Sequence, residues 1–149
     1  MSLYIHKSHN ISVLLYHLVC PAKYREVVFS PEVDDVLKQI CLEISKRYSL
    51  YFLEVGTDQD HVHFLIQSVP MYSPTKIARI VKSITAREVF KRAPQVKEKL
   101  WGGEFWTDGY FISSVGKQNS ETAVARYVKN QGKGYQYIQI HKSQLRLDI

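Results

Sequence analysis

Apolar and polar positions alternate or recur along the chain in a way that separates strands from helices. Ile11 to Cys20 reads as a strand rich in β-formers. Val13, Leu15, His17 and Val19 lie on one face, and Leu14, Tyr16 and Leu18 on the other. Ser30-Pro31-Glu32 carries helix-start chemistry: a capping hydroxyl, proline at the first helical position and an acid in the first turn. The helix it opens bears Val33, Val36, Leu37, Ile40, Cys41, Ile44 and Tyr48 on one stripe and ends near Tyr48. A strand from Leu50 to Val55 and the polar stretch Gly56 to Asp60 precede a second strand, which suits a hairpin. Ser73-Pro74 opens another helix reaching about Arg92, with Ile77, Ile80, Val81 and Ile84 as its apolar stripe. A strand is expected from about Phe105 to Val115. A last helix starts at Ser120-Glu121 and stops before Gly132-Lys133-Gly134. Residues 1–10 read as polar lead and residues 135–149 as a basic, mixed tail.

The order strand, helix, two paired strands, helix, strand, helix is that of an α+β fold. It implies an antiparallel sheet of about four strands with helices packed on it, close to the split βαβ or ferredoxin-like arrangement. At 149 residues the chain is expected to form one domain, 1–149, with its own apolar core. Cys20 and Cys41 sit among apolar neighbours without metal-site spacing, as buried free thiols would. With no apolar run long enough to span a bilayer and no signal core, a cytoplasmic protein is expected.

Charge changes the picture. A net charge of +6 favours a polyanionic partner such as nucleic acid. The second helix carries Lys76, Arg79, Lys82, Arg87, Lys91 and Arg92 around its exposed side, a candidate phosphate-contacting surface.

The candidate chemistry begins at Asp60-His61-Val62-His63-Phe64-Leu65-Ile66-Gln67. As a strand, this stretch points Val62, Phe64 and Ile66 to the core and His61 and His63 to the other face. Their Cα atoms are then about 6.5–7 Å apart, and both imidazoles reach one divalent cation. Taken alone, the spacing equally suits two surface histidines. Glu54, Asp58 and Asp60 are possible further oxygen donors, though Asp60 is more simply a turn residue. His17, among Val13, Leu15 and Val19, reads as a satisfied core histidine. In the last helix Tyr127 and Gln131 stand at i and i+4, one above the other. If that helix covers the open sheet face, they look toward the histidine pair. Packing by Tyr127 and a helix-end role for Gln131 are the plainer alternatives.

These segments together resemble a known family. His61-Val62-His63 resembles the His-hydrophobic-His motif of HUH nucleases, and Tyr127 to Gln131 is similar to the Tyr-x-x-x-Gln helix of single-tyrosine insertion-sequence transposases (TnpA-like). Lys23-Tyr24-Arg25, Lys82 to Glu88, Leu100-Trp101 and Phe105 to Gly116 are similar to the family's early and middle sections, in order. The resemblance implies a metal-dependent DNA strand transferase in which His61, His63 and Gln131 hold Mg²⁺ or Mn²⁺ and Tyr127 is the nucleophile. It further implies a 5′-phosphotyrosine intermediate and single-stranded DNA with hairpins at the element's ends. A homodimer is also implied, in which the tyrosine helix of one subunit completes the other's site in many members. Lys23, Arg25, Arg79, Lys82 and Arg87 are candidate DNA contacts by charge and position. The tail after Gly134 is short for the family. The alternatives are a domesticated relative that nicks hairpins, and a non-catalytic single-stranded nucleic-acid-binding module.

Overall fold

In the computed structural model, residues 5–7, 10–12, 14–100, 102–116, 119, 122 and 139–142 are described. A short antiparallel pair, β1 (Ile5–Lys7) and β2 (Asn10–Ser12), comes first. The stretch expected as one strand from Ile11 is thus two strands, and part of the polar lead is itself extended. β3 (Leu14–Pro21) leads through a short helical turn, Lys23–Arg25, to helix α1 (Pro31–Arg47). The hairpin β4 (Tyr51–Thr57) and β5 (His61–Ser68) follows, then helix α2 (Pro74–Arg92) and the short α3 (Gln95–Lys99), which the periodicity had not announced. The last strands are β6 (Phe111–Ser114) and β7 (Gln139–Lys142).

The main sheet has the order β6-β3-β5-β4-β7. Its first four strands are mutually antiparallel, as expected of the α+β HUH fold, and β7 adds a parallel edge beside β4. The long pairings β3–β5 and β4–β5 put the histidine strand at the sheet's centre. There both edges are hydrogen-bonded, and the two histidines inherit a rigid base.

Helices α1 and α2 start as the sequence implies. The Ser30 and Ser73 hydroxyls accept hydrogen bonds from the Val33 and Lys76 amides, 3.3 and 3.0 Å away, satisfying otherwise orphaned N–H groups. Both helices pack against one face of the sheet. Val33, Leu37, Ile40 and Ile44 of α1 and Ile77 and Val81 of α2 meet Leu18, Phe52, Val55, Val62, Phe64 and Ile66 in one buried cluster. Phe52 and Phe64 touch edge to face, with centroids 5.8 Å apart, a geometry worth about 0.5–1.5 kcal/mol beyond area burial. Cys20 and Cys41 are buried free thiols in this core. Burial pushes the Cys20 thiol up to about 12 and the Cys41 thiol further upward, so both stay protonated.

Two boundaries differ from expectation. The hairpin is tighter: β4 continues through Gly56 and Thr57, leaving Asp58, Gln59 and Asp60 as the connection, closed by the Asp58 amide on the His61 carbonyl at 2.9 Å. The strand expected from Phe105 is also shorter, with only Phe111–Ser114 joining the sheet. Upstream of it, Phe105 and Trp106 turn into the core instead, and the Trp106 indole donates to Thr85 Oγ1 at 2.9 Å. Thr107 Oγ1 bonds the Gly109 carbonyl at 3.0 Å, folding that segment into a loop. Among the described residues no helix is long and apolar enough to cross a membrane.

Candidate active site

The register of the central strands decides what surrounds the histidine pair. Val19 of β3 and Gly56 of β4 lie directly opposite His63, while Pro21 pairs with His61 and His17 with Leu65. Period-two alternation then places His17, Val19, His61, His63 and Leu65 on one face, away from the helices. This face is not simply exposed: Leu15, His17, Leu65 and Gln67 on it are buried.

Three imidazoles form a continuous chain there. His61 Nε2 and His63 Nε2 are 3.1 Å apart, and His63 Nδ1 lies 3.2 Å from Nε2 of His17. The His17 and His63 rings are diagonal neighbours across the strands, nearly parallel, with centroids 5.3 Å apart. On the other side, His61 Nδ1 is 2.9 Å from Asp60 Oδ1. A carboxylate only accepts, so this contact puts a proton on His61 Nδ1; in the neutral ring the Nε2 lone pair then faces His63, with Asp58 Oδ2 3.7 Å from the same nitrogen. Asp60 Oδ2 in turn accepts from Arg25 Nε at 2.9 Å. The Arg25 guanidinium, then the His61 ring, hold the Asp60 carboxyl below its ordinary range, so it is ionised.

Arg25 reaches Asp60 through an unusual backbone. Tyr24 and Arg25 have φ of 58° and 54°, a left-handed region that costs a non-glycine residue about 1–3 kcal/mol where the surroundings enforce it. The enforcing contacts flank the turn: the Ala22 amide donates to the Asp60 carbonyl and the Lys23 amide to the Phe105 carbonyl, both at 2.8 Å. The turn after β3 is thereby stitched to the start of the histidine strand. Asp60, read from sequence as a turn residue, is also the group that orients His61.

The electrostatics favour neutral rings. Burial foremost, then the neighbouring His17 and His61, lower the His63 imidazole to about 4. Burial likewise lowers His17. At neutral pH both present lone pairs rather than charge. Two donor nitrogens about 3 Å apart match adjacent corners of an octahedral Mg²⁺ or Mn²⁺ shell with bonds of about 2.1 Å. Among the described residues no third His, Cys, Asp or Glu completes a cluster around them. Tyr127 and Gln131, the other residues assigned to the site from sequence, lie outside the described residues.

The candidate DNA contacts separate into engaged and open cations. Lys82 Nζ donates to the Thr107 and Asp108 carbonyls at 2.9 and 3.0 Å and sits 5.2 Å from the Tyr110 ring centre. Lys23 pairs with Glu104 at 3.0 Å, and Arg25 with Asp60. Arg79 is exposed on α2 without a charged partner among the described residues, whereas Arg87, also exposed, pairs with Glu88 at 3.5 Å; both line an open groove of about 540 Å³ together with Phe90 and Trp106. Sequence reasoning read His17 as a satisfied core histidine, and it is indeed buried with a hydrogen-bond partner, but that partner is His63. The face-sharing pattern placed it correctly on the strand, but only the β3–β5 register shows which neighbours that face has.

Comparison with known proteins places the chain in a family. Residues 10–131 match the family described as IS200-like transposases. The chain is 36% identical over 118 residues to the ISDra2 transposase TnpA of Deinococcus radiodurans, covering 79% of this chain and 84% of that one. It is 27% identical over 116 residues to the transposase for insertion sequence element IS200 of Salmonella typhimurium, covering 78% and 75%. A solved structure from Deinococcus radiodurans, assigned as a transposase, superposes with a TM-score of 0.67 at 26% identity, covering 93% of this chain and all of that one. With a family match across most of its length, laid over a sheet that brings the histidine pair to its centre, the chain belongs to the IS200-like transposases.

Proposed function

We propose that this transposase cleaves and rejoins single-stranded DNA at insertion-sequence ends, with Tyr127 as nucleophile and His61, His63 and Gln131 holding Mg²⁺ or Mn²⁺. The observation that carries the metal site is the meeting of His61 Nε2 and His63 Nε2 at 3.1 Å, with Asp60 accepting a hydrogen bond from His61 Nδ1 on the far side of the ring. Where both Nε2 atoms are unprotonated, two lone pairs converge, and a cation between them relieves their repulsion. Bound there, the cation supplies Lewis-acid charge to a non-bridging oxygen of the scissile phosphate.

The residues of the chain divide the remaining work. His61 and His63, on a central strand, are held by the sheet, and Asp60 with Arg25 fixes the His61 ring plane. Tyr127 supplies a phenol with an ordinary pKa near 10 that becomes nucleophilic on losing its proton beside cationic charge. Its oxygen bonds to phosphorus as the bond from phosphorus to the 3′ oxygen breaks. The phenolic proton leaves, and the 3′ oxygen takes one up. One phosphodiester replaces another, so a later 3′-hydroxyl rejoins the strand without an external energy source. Arg79 beside the α2 groove is an open cation for the DNA backbone, and Arg87, paired only at the surface with Glu88, is a second contact there. The active unit in this reading is a homodimer on hairpin-bearing ends.

Incubation of end-labelled hairpin DNA with the protein and Mn²⁺, followed by denaturing electrophoresis, tests the reading. A covalent protein–DNA band that vanishes in Tyr127→Phe is expected. Cleavage that persists in Tyr127→Phe would assign the chemistry to water, and binding without any covalent product would leave a nucleic-acid-binding module.

A further inference from the structure

We infer that His17 is a positioning residue for the metal site, setting which nitrogen of His63 carries the proton and hence whether the His61–His63 pair can receive a cation. The inference rests on the proposed metal role of that pair. With every ring neutral and Asp60 fixing the His61 proton, the hydrogen-bond chain Arg25–Asp60–His61–His63–His17 has only two proton arrangements that keep the bond between His63 and His17.

Asp60 fixes the first link, since His61 must donate through Nδ1 and keep its lone pair at Nε2. In one arrangement His17 Nε2 donates to His63 Nδ1. The His63 proton is then on Nε2, pointing at His61 across 3.1 Å, and the gap is filled by a hydrogen bond. In the other, His17 carries its proton on Nδ1 and accepts at Nε2 from His63 Nδ1 across 3.2 Å. Both Nε2 lone pairs then face each other, which is the arrangement a cation requires. Passage between the two moves one proton within each of the His17 and His63 rings, and no net proton is gained or lost.

His17 is suited to this task by its place rather than by charge. It is 6% exposed on the central strand β3, diagonal to His63, with Phe111 of β6 edge-on at 6.5 Å. Its ring is therefore held against His63. A partner that orients a ligating imidazole typically contributes about 10–100-fold in metal affinity. A histidine buried only for packing would contribute nothing to affinity beyond what any ring of that size provides.

Mn²⁺ titration of the full chain, followed by electron paramagnetic resonance, separates these roles in wild type, His17→Phe and His17→Gln. The Phe ring keeps bulk and loses the nitrogen; the Gln amide keeps an acceptor. Expected are a loss of about 10–100-fold for His17→Phe and substantial recovery for His17→Gln, with similar thermal melting. Imidazole nitrogen NMR of the wild type supplies a readout that needs no variant: with Mg²⁺ bound, His17 should be protonated on Nδ1, leaving its Nε2 to accept from His63 Nδ1. Equal Mn²⁺ affinity in wild type and a folded His17→Phe, or a His17 protonated on Nε2 in the Mg²⁺-bound protein, would overturn the inference alone. A wild type that takes up no Mn²⁺ would remove the metal site itself, and this inference with it.

Discussion

The two faces of strand β5 are built from the same eight residues and do opposite work. Toward the helices, Val62, Phe64 and Ile66 are fully buried among aliphatic and aromatic neighbours from α1, α2 and the adjoining strands. Toward the other side, His61 and His63 stand in a chain of polar contacts that begins at Arg25 and ends at His17. The first face draws its energy from area and density, which tolerate exchange among apolar side chains of like volume but not its loss. The second depends on atoms at hydrogen-bond distance, where volume matters little and one nitrogen decides. A central strand serves both, because its backbone is held on either side by ladder bonds and cannot shift when one face is perturbed.

Substitutions on the two faces should therefore cross over. Phe64→Ala is expected to lower stability by about 3–5 kcal/mol, read as a shift in the urea midpoint. His61→Ala should leave that midpoint nearly in place while metal-dependent DNA cleavage falls by about 100-fold or more, in keeping with a Lewis-acid contribution of several kcal/mol. Equal destabilisation by both variants would erase the distinction.

A smaller effect sharpens the polar side. Asp60→Asn retains size and an acceptor oxygen but discards the charge that anchors Arg25 and the His61 proton. Mn²⁺ affinity should fall by about tenfold or somewhat more, with little change in melting, since the Arg25–Asp60 pair is largely solvent-screened. Unchanged affinity, measured by calorimetry, would reduce Asp60 to a turn residue.

The gentlest test is pH. Because the His63 pKa in the folded protein is lowered to about 4, below its ordinary value near 6.5, the unfolded chain binds the proton first as pH falls. Stability is then complete above about pH 6.5 and is lost progressively toward pH 4. Urea midpoints of the metal-free protein should show this decline, flattened in His63→Gln; a wild-type midpoint constant from pH 7 to 4.5 would contradict it. Asp60, Glu43 and Glu88, all held low by arginine partners, add their losses only at more acidic pH.

Local pattern carried the helices furthest. Ser30-Pro31 and Ser73-Pro74 announce α1 and α2 because capping and proline geometry are decided within four residues, and the structure begins both helices there. The alternation of residues 61–67 likewise sorted core from histidine side, since strand period is a backbone property. The segment after Phe105 was misjudged for the opposite reason. Its aromatic, β-prone residues are drawn into the core by partners far away in sequence, such as Thr85, and propensity yields to such contacts.

What the sequence determined by itself is the inventory and its local order: two imidazoles two residues apart on one strand face, a tyrosine and a glutamine four residues apart, and a surplus of cations. Those follow from spacing, and spacing needs no partner. Only the tertiary structure brought Pro21 opposite His61 and Val19 opposite His63, and so made His17 and Arg25 members of the histidine chain. Strand register and a strained turn are long-range outcomes, settled by which faces bury together rather than by any neighbouring residue.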